Sequence, residues 1–150
     1  MNYKISEIAN IIGGKLIQKN YISIQYLLTD SRSLSFAEST LFFAIKTPQN
    51  DGHKFIIDLY QKGVRNFVIS ELKDEFSTLN EANFIVTKNV VKALQTLAQY
   101  HRSQFNIPIV GITGSNGKTI VKEWLQQLLK NEIVCRSPKS FNSQIGVPLS

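Results

Sequence analysis

A chain of 150 residues, 43% hydrophobic and 10% aromatic, has the length of about one domain and enough apolar material for a packed core. Its net charge of +6 suits anionic ligands, but no basic run or aromatic-interleaved stripe marks a nucleic-acid interface. One cysteine excludes an intrachain disulfide, no apolar run approaches the length of a membrane helix, and Met1 to Glu7 holds no signal core, so a cytoplasmic protein without membrane insertion is expected.

Ser6 is positioned to cap a short helix through about Ile12, with Ile5, Ile8, Ile11 and Ile12 on one side and Gly13-Gly14 at its end. Residues 15–18 and 23–29 read as strands, and 41–45 as a short apolar strand. Thr47-Pro48-Gln49-Asn50-Asp51-Gly52 is turn chemistry. Residues 54–62 read as a helix burying Phe55, Ile56, Leu59 and Tyr60. Residues 66–70 and 83–87 are strands of the buried type, with a polar excursion between them. Asn89 caps a helix on which Val90, Val91, Leu94, Leu97, Ala98, His101 and Phe105 recur at helical period. Asn106-Ile107-Pro108 breaks it, and Pro108 forces Ile107 into extended geometry, where the next strand is expected to start. Cys135, in the apolar stretch Ile133-Val134-Cys135, reads as a buried, inert thiol. Strands alternating with helices predict an α/β fold.

The apolar run Ile107-Pro108-Ile109-Val110 leads into Gly111-Ile112-Thr113-Gly114-Ser115-Asn116-Gly117-Lys118-Thr119. An amphipathic segment with Ile120, Val121, Trp124, Leu125, Leu128 and Leu129 follows. Strand, glycine loop and helix are the context a phosphate-binding loop requires. Glycines let successive N–H groups point at phosphate oxygens, and the helix adds its positive dipole end. Lys118 is placed to reach the β- and γ-phosphates, and the Thr119 hydroxyl to sit on Mg²⁺. The spacing departs from Gly-x4-Gly-Lys-Ser/Thr, because Ile112 stands where the first glycine belongs and Gly114 supplies flexibility inside the loop.

Thr113 to Thr119 resembles the phosphate loop of the Mur ligases, the ATP-dependent amide-forming enzymes of peptidoglycan synthesis. Thr29-Asp30-Ser31-Arg32, then Thr40-Leu41-Phe42-Phe43-Ala44-Ile45-Lys46, then Asp51-Gly52-His53-Lys54-Phe55 is similar to the N-terminal domain shared by the third and fourth ligases of that pathway. Ser140-Phe141-Asn142-Ser143-Gln144-Ile145-Gly146-Val147-Pro148-Leu149-Ser150 is most similar to the fourth, and the Thr-Thr-Pro signature of the third is not found there. The likeness covers essentially the whole chain. It implies a Mur-ligase-type N-terminal substrate domain over residues 1–106, followed by the start of a P-loop ATP-binding domain over 107–150, truncated within a longer parent.

The same resemblance implies a reaction. ATP activates a carboxylate of UDP-N-acetylmuramoyl-tripeptide as an acyl phosphate, and the amine of D-alanyl-D-alanine displaces phosphate. ATP and Mg²⁺ are the implied cofactors. Gly114, Ser115, Asn116, Gly117, Lys118 and Thr119 would hold the nucleotide, Lys118 would screen the transferred phosphoryl group, and Thr119 would hold the metal. The acidic metal ligand, the adenine pocket and the amine site would lie beyond residue 150, so the segment alone is expected to bind weakly and not to catalyse. In some bacteria this ligase is fused to an alanine racemase.

Other segments leave two readings open. Asp30-Ser31-Arg32 ends a predicted strand, a preferred ligand position in α/β folds, and Arg32 offers a planar fork for an anion. The same tripeptide also describes a capped turn with an exposed arginine; the resemblance places Ser31 and Arg32 at the UDP part of the substrate. Asp51-Gly52-His53 is a ligand loop or a plain turn that Asp51 caps, and His53 has no partner at metal spacing. His101 reads as a satisfied, partly buried helix residue. Asn142 is a substrate contact by resemblance, or part of a polar turn before a helix near Pro148. Three alternatives remain: another P-loop enzyme, for which no Asn-Lys-x-Asp guanine motif is found; a UDP-sugar-binding module without catalysis; and the related ligase that adds the third amino acid.

Overall fold

Three strands at the centre of the fold are buried on both faces. They are β5 (Thr40–Phe43), β6 (Asn66–Ile69) and β7 (Asn83–Val86) in chain order. Their near-continuous apolar runs are what parallel strands covered on both sides require. Two shorter strands complete the sheet, β2 (Lys15–Ile17) and β4 (Tyr26–Leu28). In this computed structural model, which describes residues 1–17, 19–137, 141 and 143–149, the strand order is β2-β7-β6-β5-β4. All neighbours are parallel except β2, which runs antiparallel to β7 with Lys15 opposite Val86. A separate two-stranded ribbon joins β1 (Tyr3–Lys4) to β3 (Ser23–Ile24).

Alternation of side chains builds two cores. Phe42, Phe67 and Phe84 stand in register on one face, with Phe67 and Phe84 stacked at 5.5 Å. Helix α2 (Ile56–Gln61) and Phe76, from a 3-10 turn at Asp74–Thr78, cover them. Leu41, Phe43, Val68 and Ile85 point the other way, under α1 (Ile5–Ile12) and α3 (Val90–Ser103). Asn89 caps α3 as expected, accepting the Lys92 N–H at 2.9 Å. Helix α1 begins one residue before Ser6, because the Glu7 carboxylate reaches back to the Lys4 N–H at 2.8 Å.

Other expectations are corrected. The strand expected over 23–29 divides at Gln25, whose N–H turns to Ser39 O at 2.9 Å, so β3 joins the ribbon and β4 the sheet. The helix expected over 54–62 opens as a 3-10 turn, Gly52–Phe55, before α2. No strand forms at 107–110: among the described residues none pairs with this run, and Ile107, Ile109 and Val110 are exposed. A strand without a ladder partner has nowhere to place its backbone groups. Cys135 is exposed rather than buried, and Ile133 and Val134 beside it are exposed too. Helix α4 (Lys118–Leu128) turns Ile120, Trp124 and Leu128 to solvent. Ile145 and Leu149, the latter in a 3-10 turn at Val147–Leu149, return to pack beside α1 and α3. Among the described residues no helix is long and apolar enough to cross a membrane.

Candidate functional site

The glycine loop enters α4 through two residues that only glycine adopts comfortably. Gly114 has φ 137° and Gly117 has φ 78°. Gly117 is the N-cap of α4 and has no side chain to satisfy the helix end. Lys118 Nζ lies 2.5 Å from Gly114 O and 3.5 Å from Ser115 O, so its charge is folded over the loop's own carbonyls. Ser115, Asn116 and Thr119 are exposed beside it. Positive-φ glycines, a helix N-terminus and an ammonium at one loop form a donor set that fits an anion such as a triphosphate.

A second concavity lies at the carboxyl ends of β4 and β5. It is a cleft of about 430 Å³ lined by Thr29, Asp30, Ser31 and Arg32 on one side and by Ile45, Asn50, Gly52 and Phe55 on the other. Two sequence motifs some twenty residues apart thus converge on one site, the position at which open α/β sheets bind ligands. Gly52 is needed for close approach: a Cβ there would sit 2.7 Å from Ile45 N and 2.8 Å from Ala44 C. Ile45, Asn50 and Phe55 escaped selection as site residues in the sequence. The turn chemistry at 47–52 marked the loop without showing which side chains face inward.

Arg32 is folded onto Asp30. Its Nε and terminal nitrogen lie 2.9 and 2.6 Å from the two carboxylate oxygens, while the backbone N–H of Arg32 also donates to Asp30. These hydrogen bonds, the side-chain one foremost and the backbone one next, hold the Asp30 carboxyl down at about 2, and the pairing raises the Arg32 guanidinium. The arginine side chain is 86% exposed, so both readings of the tripeptide meet here: a capped turn, and a fork at the mouth of a cleft.

Asp51 caps the following 3-10 turn through the His53 N–H at 3.0 Å. Burial pushes the Asp51 carboxyl up, but the hydrogen bonds from His53 outweigh it and leave the group lowered. His101 is partly buried, with Nδ1 3.0 Å from the Tyr3 hydroxyl, and burial pushes its imidazole down. Asn142 lies outside the described residues. Neighbouring Gln144 presents its carbonyl to Gln95 Nε2 on α3 at 3.3 Å.

No protein-family model matches the sequence. The chain is 31% identical over 149 residues to the UDP-N-acetylmuramoyl-tripeptide–D-alanyl-D-alanine ligase of Haemophilus influenzae, covering 96% of this chain and 31% of that protein. Among solved structures it is similar to MurF from Acinetobacter baumannii, with TM-score 0.83, 25% identity and coverage of 99% of this chain and 32% of the other. The MurF ligase of Thermotoga maritima, solved in complex with ADP, matches with TM-score 0.71 and 29% identity, over 83% of this chain and 28% of that one. The cleft-edged sheet and the glycine loop are similar in sequence and in fold to part of the Mur ligases. The similarity runs to members that carry the D-alanyl-D-alanine name and, at 32% identity over 123 residues, to the 2,6-diaminopimelate ligase of Clostridium tetani. The chain spans about one third of the length of the D-alanyl-D-alanine relatives.

Proposed function

We propose that this chain is the substrate-binding and phosphate-loop part of a cytoplasmic, ATP-dependent ligase that joins D-alanyl-D-alanine to UDP-N-acetylmuramoyl-tripeptide. One observation carries the reading: Thr29 to Arg32 and Asn50 to Phe55 close around one cleft, on a different part of the chain from the glycine loop. Two anionic substrates then have two separate cradles. Residues 1–106 form the substrate domain and 107–150 open the nucleotide domain. Consistent with that division, Gly146 is the one buried residue among the described residues beyond Leu97.

In the cleft, Ser31 offers a hydroxyl and Arg32 a fork to the diphosphate of the UDP group. At the loop, Gly114 to Gly117 present backbone N–H groups to the ATP phosphates and Lys118 places its charge where the transferred phosphoryl group becomes more negative. Thr119 would hold Mg²⁺, which when bound neutralises phosphate charge. By the resemblance, Asn142 would contact the substrate. The shared task of these residues is to hold carboxylate and phosphoryl group in line, which converts a bimolecular encounter into a positioned one.

The test is a pair of calorimetric titrations on this chain, followed by turnover in the whole protein. UDP-N-acetylmuramoyl-tripeptide should bind the chain and ATP should compete poorly for the same cleft. In the whole protein, phosphate release from ATP should require both the UDP-tripeptide and D-alanyl-D-alanine. Turnover driven by another amine, or none with tripeptide bound, would reject the assignment.

A further inference from the structure

Between the cleft residues Gly52 and Phe55 stands a histidine that turns away from the cleft. His53 is 1% exposed. Its Nδ1 lies 2.7 Å from Asp51 Oδ1, and its Nε2 lies 3.2 Å from both the backbone N and the Oγ of Ser70, the residue that follows β6. A backbone N–H can only donate, so Nε2 accepts; the single proton of the neutral ring then sits on Nδ1 and is donated to Asp51. Asp51, His53 and Ser70 form a continuous chain from the turn to the sheet.

We propose that His53 is a positioning residue for the uridine-diphosphate cleft, pinning the wall that carries Asn50, Gly52 and Phe55 to the end of β6. This rests on the reading of the cleft as the UDP site. The turn's other hydrogen bonds close it on itself or on the residues just after β5: Thr47 N to Asn50 O at 2.7 Å, and Gly52 N to Ile45 O at 2.9 Å. The His53 ring carries the tie to β6. A wall held in place before the ligand arrives spares the cost of ordering it on binding. The order acid, imidazole, hydroxyl is also that of a nucleophile relay. Here the imidazole is enclosed and its acceptor nitrogen is shared with a main-chain N–H, so the Ser70 hydroxyl is tethered rather than activated.

Half-isosteres separate the two ends of the link. His53→Asn keeps a donor for Asp51 and gives up Ser70; His53→Gln keeps an acceptor for Ser70 and gives up Asp51; Ser70→Ala removes only the hydroxyl. UDP is titrated into this chain and each variant well below their unfolding midpoints, and amide exchange is followed at residues 50–52. Both His53 variants should bind UDP about tenfold more weakly, Ser70→Ala less so, and amides 50–52 should lose protection in the same order. Nitrogen-15 spectra of the parent should show His53 protonated at Nδ1 and bare at Nε2. Folded His53 variants with parental UDP affinity, or a proton on Nε2, overturn the proposal. If His53→Asn and His53→Gln do not fold, an unchanged UDP affinity in Ser70→Ala overturns it. A parent that binds no UDP while the variants still lose protection at 50–52 overturns the substrate reading alone; no binding with protection unchanged overturns both.

Discussion

Asn66 and Asn83, paired across β6 and β7, share a side-chain hydrogen bond of 2.9 Å with both residues fully buried. Asn66 Nδ2 continues to Thr40 O on β5. Asn83 Oδ1 accepts the N–H groups of Lys19 and Asn20, and Asn83 Nδ2 also donates to Asn20 O. Two amides thus stitch three strands and the loop after β2. Asn83→Leu strands the Lys19 and Asn20 donors and the Asn66 acceptor. The expected loss is about 1–3 kcal/mol for each group left unsatisfied. Urea unfolding should show a lower midpoint at unchanged slope; an unshifted midpoint would mean that water enters and replaces the amide.

Gly52→Ala pushes a methyl group against backbone rather than side-chain atoms, within 2.7–2.9 Å of Ala44 and Ile45. Backbone at the end of β5 cannot rotate aside. The expected cost is about 1–3 kcal/mol of stability, with weaker UDP binding because the cleft wall shifts. A thermal melt and a UDP titration check both.

The Asp30 carboxyl should titrate near its lowered value of about 2, observable by carbon-13 NMR. Its folded value lies below the unfolded one of about 3.9. The stabilisation is therefore present above the unfolded value and is lost as pH falls through about 2. Both partners are exposed, so the global melting temperature should hardly move across that window. Arg32→Ala should return the midpoint toward an ordinary carboxyl.

Arg32→Ala should weaken UDP-substrate binding by roughly one to two decades, the equivalent of a charge-assisted hydrogen bond. ATP binding in the whole protein should not change. Arg32→Lys should rescue only partly, because an ammonium keeps the charge and loses the fork. Equal losses for both ligands would assign Arg32 to the fold.

Lys118→Ala should reduce turnover of the whole protein by about 10²–10³ and leave UDP-substrate affinity intact. Its ammonium now rests on Gly114 O, so nucleotide binding exchanges one set of oxygens for another. Single-turnover measurements with saturating ATP would show the loss in the chemical step; near-parental turnover would remove Lys118 from the mechanism.

Signals written within a few residues of one another could be read from the sequence. The Asn89 cap, the Gly117 entry to α4 and the buried runs of β5 to β7 are of this kind. The Asp51-Gly52-His53 segment could be singled out, but its two readings could not be separated. The partner that decides them, Ser70, is seventeen residues away and carries no local mark. The failures at 107–110 and at Cys135 share a cause. Apolar sequence predicts burial only when something is there to cover it, and Ile107, Ile109, Val110, Ile133 and Cys135 are left exposed. The split at Gln25 depended on Ser39, a carbonyl on the opposite side of a loop.

The pairing of β2 with β7 has a consequence in time. Lys15 emerges from the ribosome about seventy residues before its partner Val86. At 5–20 residues per second, the edge strand waits roughly 4–14 s for the segment that completes its ladder. Until then the apolar side of α1 and the backbone of residues 15–17 are open to whatever else is in reach. Nascent-chain pulldowns should find holding chaperones on this protein while residues 20–80 are emerging from the exit tunnel, and their release as β7 clears it.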